Sequence, residues 1–140
     1  MIKLIRFAPW HAISMEVQMQ QRGTMSMDRS YALELAKGPA VTGMLAREPL
    51  FCFGKQEQWP GRWVVWCLLS VDARAHMLPI TRIARRLLGQ QLGTGRHEAV
   101  IRSDFKQGHR WAELCGMKWH HHEEMFLPGQ QDADIYVRFC

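Results

Sequence analysis

The stretch "WVVWCLLSVDARAHMLPITRIARRLL", residues 63–88, decides the fold. Its first nine residues are apolar at nearly every position. That pattern fits a strand buried on both faces, at the centre of a sheet. Further on, Ile80, Ile83, Ala84, Leu87 and Leu88 recur at helical spacing and make one apolar face. Thr81, Arg82, Arg85 and Arg86 fall on the other side. The stretch therefore reads as a strand, a short turn and an amphipathic helix from about Leu78 to Leu88. A turn of this kind is a ready place for a phosphate, because the first helical N–H groups have no partner within the helix.

Working outward, Met1–Phe7 alternates as a strand, and Pro9 suits the first turn of a helix running to about Arg22. "GTMSM" breaks that pattern. Asp28 can cap a second helix, "RSYALELAK", which Gly38 ends. Residues 39–56 hold two β-rich runs around an Arg47-Glu48-Pro49 turn, a hairpin signal. "WPGR" makes the next turn before the apolar strand. Beyond the helix, the glycine-rich "GQQLGTGR" leads into the strand "HEAVIR". Ser103 or Asp104 caps a helix through "FKQGHRWAELC", and Gly116 stops it. "MKWHHHEEMF", "LPGQQD" and "DIYVRF" finish as strand, turn and strand. The order is β-α-α-β-β-β-α-β-α-β-β, read as a single domain over residues 1–140 with a mixed central sheet and about four helices.

Composition agrees with a globular protein: 47% apolar and 22% charged over 140 residues. The net charge of +5 is a mild basic surplus, which mostly reports a solvated surface and leaves an acidic partner open. The four cysteines, Cys52, Cys67, Cys115 and Cys140, make no C-x-x-C pair and no zinc-ribbon spacing. They read as reduced thiols, with Cys67 and Cys115 buried on core faces. The six tryptophans read mostly as core, Trp59 beside Pro60-Gly61 being the exception. "MIKLIRFAPW" does not resemble a signal peptide, having only a brief apolar run before Pro9, and "WVVWCLL" is too short to span a bilayer.

The element order resembles that of the GNAT N-acetyltransferases. Residues 98–119, "EAVIRSDFKQGHRWAELCGMKW", resemble the family's segment of strand, helix, glycine and strand, with Gly116 at the usual glycine. Taken whole, the chain is similar to small GNAT-like proteins of tailed bacteriophages, particularly the internal virion protein A group of short-tailed phages. "EPLFCFGKQ" (48–56), the tryptophan-rich strand, the basic helix after it and "HRWAELCGMKWHHHEE" (109–124) carry that likeness.

The resemblance implies where acetyl-CoA would sit. The family begins its pyrophosphate loop with Gln or Arg, places Gly three residues on, and Gly or Ala two further. Here those positions are Pro79, Arg82 and Ala84, and only Ala84 conforms. Pro79 supplies no N–H, and Arg82 puts a long side chain where glycine leaves room. Arg74, His76 and Arg82 could grip a phosphate by their side chains instead. The family's late-helix asparagine and tyrosine positions fall on Phe105 and Ala112, and a methyl group cannot donate a proton. Glu57, Asp72 and His76 are the base candidates; each also reads as an ordinary loop or surface residue.

The resemblance thus implies a GNAT shape with an eroded acetyl-CoA site and no cofactor. The expected role is virion-associated or host-directed and exercised through protein contacts, in the virion or the host cytoplasm. The alternatives are an active acetyl-CoA-dependent N-acyltransferase, with Asp72 or His76 as base, and a nucleic-acid or host-factor binder using Arg74, Arg82, Arg85 and Arg86. The run His120-His121-His122 with Glu123 and Glu124 reads as a polar edge strand, not as a metal site. On a regular strand His120, His122 and Glu124 would share one face, and the sequence brings no further ligand to them.

Overall fold

A computed structural model of the chain describes residues 1–18, 21, 28–91 and 93–140, with the backbone alone at 90 and 91. Its elements are β1 (Lys3–Arg6), α1 (Pro9–Ser14), α2 (Arg29–Leu35), β2 (Ala40–Leu45), β3 (Glu48–Trp59), β4 (Arg62–Leu69), α3 (Met77–Arg86), β5 (Arg96–Arg102), α4 (Lys106–Leu114), β6 (Lys118–Leu127) and β7 (Gln131–Phe139). A 3-10 helix over Val71–His76 leads into α3, and a π-helical turn over Leu87–Gln91 follows it. The strands form a mixed sheet in the order β1-β2-β3-β4-β5-β7-β6. The apolar run of β4 therefore occupies the middle of the sheet, as its composition requires. The expected α+β architecture and element order are both present.

The chain divides into two compact units, Met1–Gln56 with Val65–Met77, and Glu57–Val64 with Leu78–Cys140. In the first, Phe7, Ala12, Ala32, Leu35, Cys52, Trp66 and Leu68 form the core. The rings of Phe7 and Trp66 meet edge to face at 5.3 Å, a favoured aromatic geometry. Gly54 lies flat against that tryptophan: a Cβ there would sit 2.6 Å from Trp66 Cζ2.

The expected helix from Pro9 to Arg22 is corrected to one that ends at Ser14. Met15 is already extended, Val17 pairs with Ser70 as an antiparallel bridge, and the Gln18 N–H donates to the Leu69 carbonyl. Tertiary pairing has outcompeted helical propensity there. The "GTMSM" break lies outside the described residues. Asp28 caps α2 as expected, its carboxylate accepting the Tyr31 N–H at 2.8 Å. The hairpin turn falls on Ala46-Arg47, both at positive φ (51° and 70°), one residue earlier than Arg47-Glu48-Pro49.

In the second unit, β5 pairs in parallel with β4 through Arg62–Arg96, Trp63–His97 and Val64–Glu98, and antiparallel with β7 along its whole length. Helix α3 buries Ile80 and Ala84, the next turn buries Leu87 and Leu88, and Trp111 Nε1 ties α4 to α3 by donating to Thr81 Oγ1 at 2.8 Å. Neither Ser103 nor Asp104 caps α4. Phe105 holds the N-cap position without a side-chain cap, because Asp104 pairs with Arg102 and the Ser103 hydroxyl lies against His122. Gly116, at φ +91°, ends the helix where a side chain would be strained.

Two further expectations are corrected. Cys115 is buried, but Cys67 is only half-buried; Cys52 is the deeper thiol of β3 and β4. Among the tryptophans, Trp66 alone is buried, whereas Trp10, Trp59 and Trp119 are exposed. Among the described residues no helix is long and apolar enough to cross a membrane.

Candidate functional site

The segment from the end of β4 through α3 holds most of the residues that the sequence singles out. Asp72 and Arg74 are exposed on the 3-10 helix, and His76 is half-buried at its end. Arg82 is exposed on α3, and Ala84 is buried beneath it. Glu57 is exposed on β3. No hydrogen bond or ion pair joins any two of these among the described residues. Pro79, Arg82 and Ala84 all lie inside α3, whose first residue directly follows the 3-10 helix, so the helical stretch has no open loop at those positions.

The donors at the start of this stretch already have partners. The Ser70 N–H donates to Leu50 O, Val71 to Glu16 O and Ala73 to Ser70 O, at 2.9–3.1 Å. The Ser70 hydroxyl, by contrast, is buried with no hydrogen-bond partner among the described residues. A bare hydroxyl donor is one contact for an anion, not a cradle.

Elsewhere the ionisable groups with resolved partners are committed to structure. Glu98 is buried and accepts Arg62 Nε at 2.7 Å and Arg96 Nε at 3.0 Å. Burial raises its affinity for a proton, but the two guanidinium groups outweigh that and hold the carboxyl below its usual range. It is no general base. In the first unit, His11 Nδ1 accepts the Ala8 N–H at 3.0 Å and lies 2.8 Å from Thr42 Oγ1, which in turn lies 3.6 Å from Cys52 Sγ. The order His–Thr–Cys looks like an activated thiol, yet burial pushes Cys52 up to about 12. A thiol so fully protonated is inert.

A third network was invisible in the sequence. His109 on α4 has Nε2 at 3.0 Å from the Ser103 carbonyl, so Nε2 carries the proton, and Nδ1 at 2.9 Å accepts from the Tyr136 hydroxyl. His122 faces carboxylates at both nitrogens: Nδ1 lies 3.1 Å from Asp134 Oδ1 and Nε2 lies 3.2 Å from Asp132 Oδ2. Carboxylates at both nitrogens favour the protonated ring, and the Asp134 bond leads in raising its affinity for the proton. Trp119 Nε1 also donates to Asp134, at 3.0 Å. In its protonated form His122 has no lone pair with which to activate the neighbouring Ser103 hydroxyl, 3.4 Å from Nδ1.

The histidine run does not alternate regularly. The register of β6 against β7 shifts between Trp119 and His121, a bulge at His120, while beyond it the alternation is the expected one, His121 and Glu123 on one face, 2.9 Å apart, and His122 on the other. Among the described residues no group of three or more His, Cys, Asp or Glu side chains is arranged to hold a metal ion.

No protein-family profile matches the chain, and no curated protein matches it in sequence. Its structure is similar to that of an N-acetyltransferase from Staphylococcus aureus Mu50, with a TM-score of 0.75 at 8% identity over 99% of this chain and 97% of the other. Ard1 from Thermoplasma volcanium gives 0.79 at 11%, again over 99% and 97%. A GNAT superfamily phosphinothricin acetyltransferase from Sinorhizobium meliloti, solved in complex with AcCoA, gives 0.72 at 14% over 99% and 88%. The fold is that of the GNAT acetyltransferases.

On this GNAT fold, Phe105 sits at the N-cap of α4 and Ala112 is buried within that helix. Tyr136, the tyrosine nearest α4, spends its hydroxyl on His109, and burial pushes its ionisation up. The GNAT elements are thus complete, while the polar groups described above stabilise strands, turns and helix ends.

Proposed function

We propose that this chain is a GNAT-fold protein whose acetyl-CoA site is degenerate and which acts through protein contacts, in a virion or in the cytoplasm of a host. The observation that carries the reading is that Pro79, Arg82 and Ala84, the positions of the family pattern, lie inside a continuous helix and not in an open loop. The N–H groups at the head of that helical stretch, on Ser70, Val71 and Ala73, are spent within the chain as well. Pro79 has none to give, and Arg82 projects from a continuous helix. These residues do not fit the diphosphate of the cofactor in the way the family pattern requires. The virion or host setting follows the likeness to phage proteins in residues 48–56 and 109–124. Exposed Trp119, Met125 and Phe126 on β6 favour a protein partner.

Calorimetry with acetyl-CoA tests the reading. Affinity no better than millimolar is expected, about −4 kcal/mol. Pro79→Gln with Arg82→Gly should tighten it by returning one N–H and removing an obstructing side chain. A second reading, an active N-acyltransferase, draws on the side-chain donors Arg74, His76 and Arg82. Under that reading acetyl-CoA binds in the micromolar range and Arg82→Gly alone weakens it by about 1.5–3 kcal/mol. The single substitution therefore separates the two by sign.

A further inference from the structure

Helices α3 and α4 each carry an exposed stripe at i, i+4 spacing: Leu78, Arg82 and Arg86 on the first, Lys106, Arg110 and Leu114 on the second. The Trp111–Thr81 hydrogen bond fixes the two helices to each other within one unit. With Arg85 they hold five cations against one carboxylate, Glu113, which is +4 of the chain's net +5. Among the described residues none of these five cations has a carboxylate partner. Four cations elsewhere are neutralised in place: Arg62 and Arg96 share Glu98, Arg102 has Asp104 and Lys37 has Glu34.

We infer that the α3–α4 face binds the phosphate backbone of a nucleic acid. Unneutralised guanidinium groups on a rigid scaffold suit phosphates, since each contact releases condensed counterions. Arg82 and Arg86 stand about 6 Å apart along the helix axis, a spacing that successive phosphates on one strand can meet. The four cations of the two stripes are long side chains at fixed positions, not a flexible basic tail, so binding follows the backbone and reads no sequence. Leu78 and Leu114, exposed beside them, make an acidic protein surface the competing occupant.

The test is fluorescence anisotropy of the whole chain with a labelled 20-base-pair DNA duplex and the matching RNA duplex. Binding at about 50 mM salt should fall with salt at a log–log slope of roughly −3 to −5, given about 0.9 per phosphate neutralised. Arg82→Ala with Arg86→Ala should weaken binding at least tenfold and reduce that slope by about two. Arg82→Lys with Arg86→Lys, checked for helix content by circular dichroism, should keep the slope. Lys37→Gln with Arg102→Gln removes the same charge from paired positions and should change affinity less than twofold. The inference is overturned if neither duplex binds, or if the paired-site variant loses as much as the stripe variant. It is equally overturned if poly-glutamate or phosphatidylserine vesicles bind the face more tightly than either duplex.

Discussion

His11 Nδ1 and Thr42 Oγ1 lie 2.8 Å apart with both residues almost wholly buried, and the same nitrogen accepts the Ala8 N–H that opens α1. One imidazole thus closes a helix start onto the sheet. His11→Ala should cost about 1–3 kcal/mol, the penalty of leaving a buried amide and hydroxyl unpaired. Burial lowers the His11 pKa below 6.5, so the unfolded chain takes up a proton first as pH falls. Stability contributed here is complete above 6.5 and declines from there down to the folded-state value. Thermal melts between about pH 5 and 8 should show this slope, and the variant should lack it.

His122 should behave in the opposite sense. Its pKa is raised, the Asp134 hydrogen bond leading. Its contribution is therefore complete below 6.5 and is lost as pH rises through the folded-state value. Because the side chain is 42% exposed, the effect is best read by NMR titration of the ring, whose midpoint should lie above 6.5 and drop in Asp134→Asn.

Glu98→Gln should destabilise by about 2–4 kcal/mol, less than a fully buried pair because Arg62 and Arg96 keep some solvent contact. In the native chain the depressed carboxylate supports folding above its unfolded pKa, and that support disappears as pH falls through the folded value. Urea titrations of the wild type and variant should converge toward acid pH.

The thiols should react in order of exposure. Cys140 is exposed and should be labelled first by a thiol reagent at about pH 8, followed by half-buried Cys67. Cys52 and Cys115, pushed up to about 12 and about 11, should react only after unfolding. Rapid labelling of either in the folded protein contradicts the packing described.

Gly54→Ala should destabilise by roughly 1–3 kcal/mol, since the added methyl meets the Trp66 ring in a filled core. Denaturant midpoints read this directly. Adding Trp66→Phe should recover part of the loss if the ring is the cause.

Much of this molecule was legible in its residues. An unbroken apolar run marks β4 as central, Asp28 before a helical period marks α2, and Gly116 marks the end of α4. What could not be read depends on partners distant in sequence. Nothing in "QRGTMSM" or before it announces that Val17 pairs with Ser70, so the sequence alone makes α1 too long. The His122 cluster exists only because β7 lies beside a bulged β6, which sets Asp132 and Asp134 against one ring. His109 and Tyr136 are joined across 27 positions by a helix-to-strand contact that no local spacing encodes. A strand followed by an amphipathic helix is legible over residues 63–88, but the 3-10 helix Val71–His76 that joins them has no local signal.

Strand β7 lies between β5 and β6, both of which precede it in sequence. During synthesis, β5 and β6 therefore emerge from the ribosome with no strand to separate them. Each keeps an open hydrogen-bonding border until residues 131–139 arrive. Such borders invite mispairing with other nascent chains, so the yield of soluble protein should depend on how fast translation reaches β7, and a chain stalled before it should need a chaperone that one containing it does not.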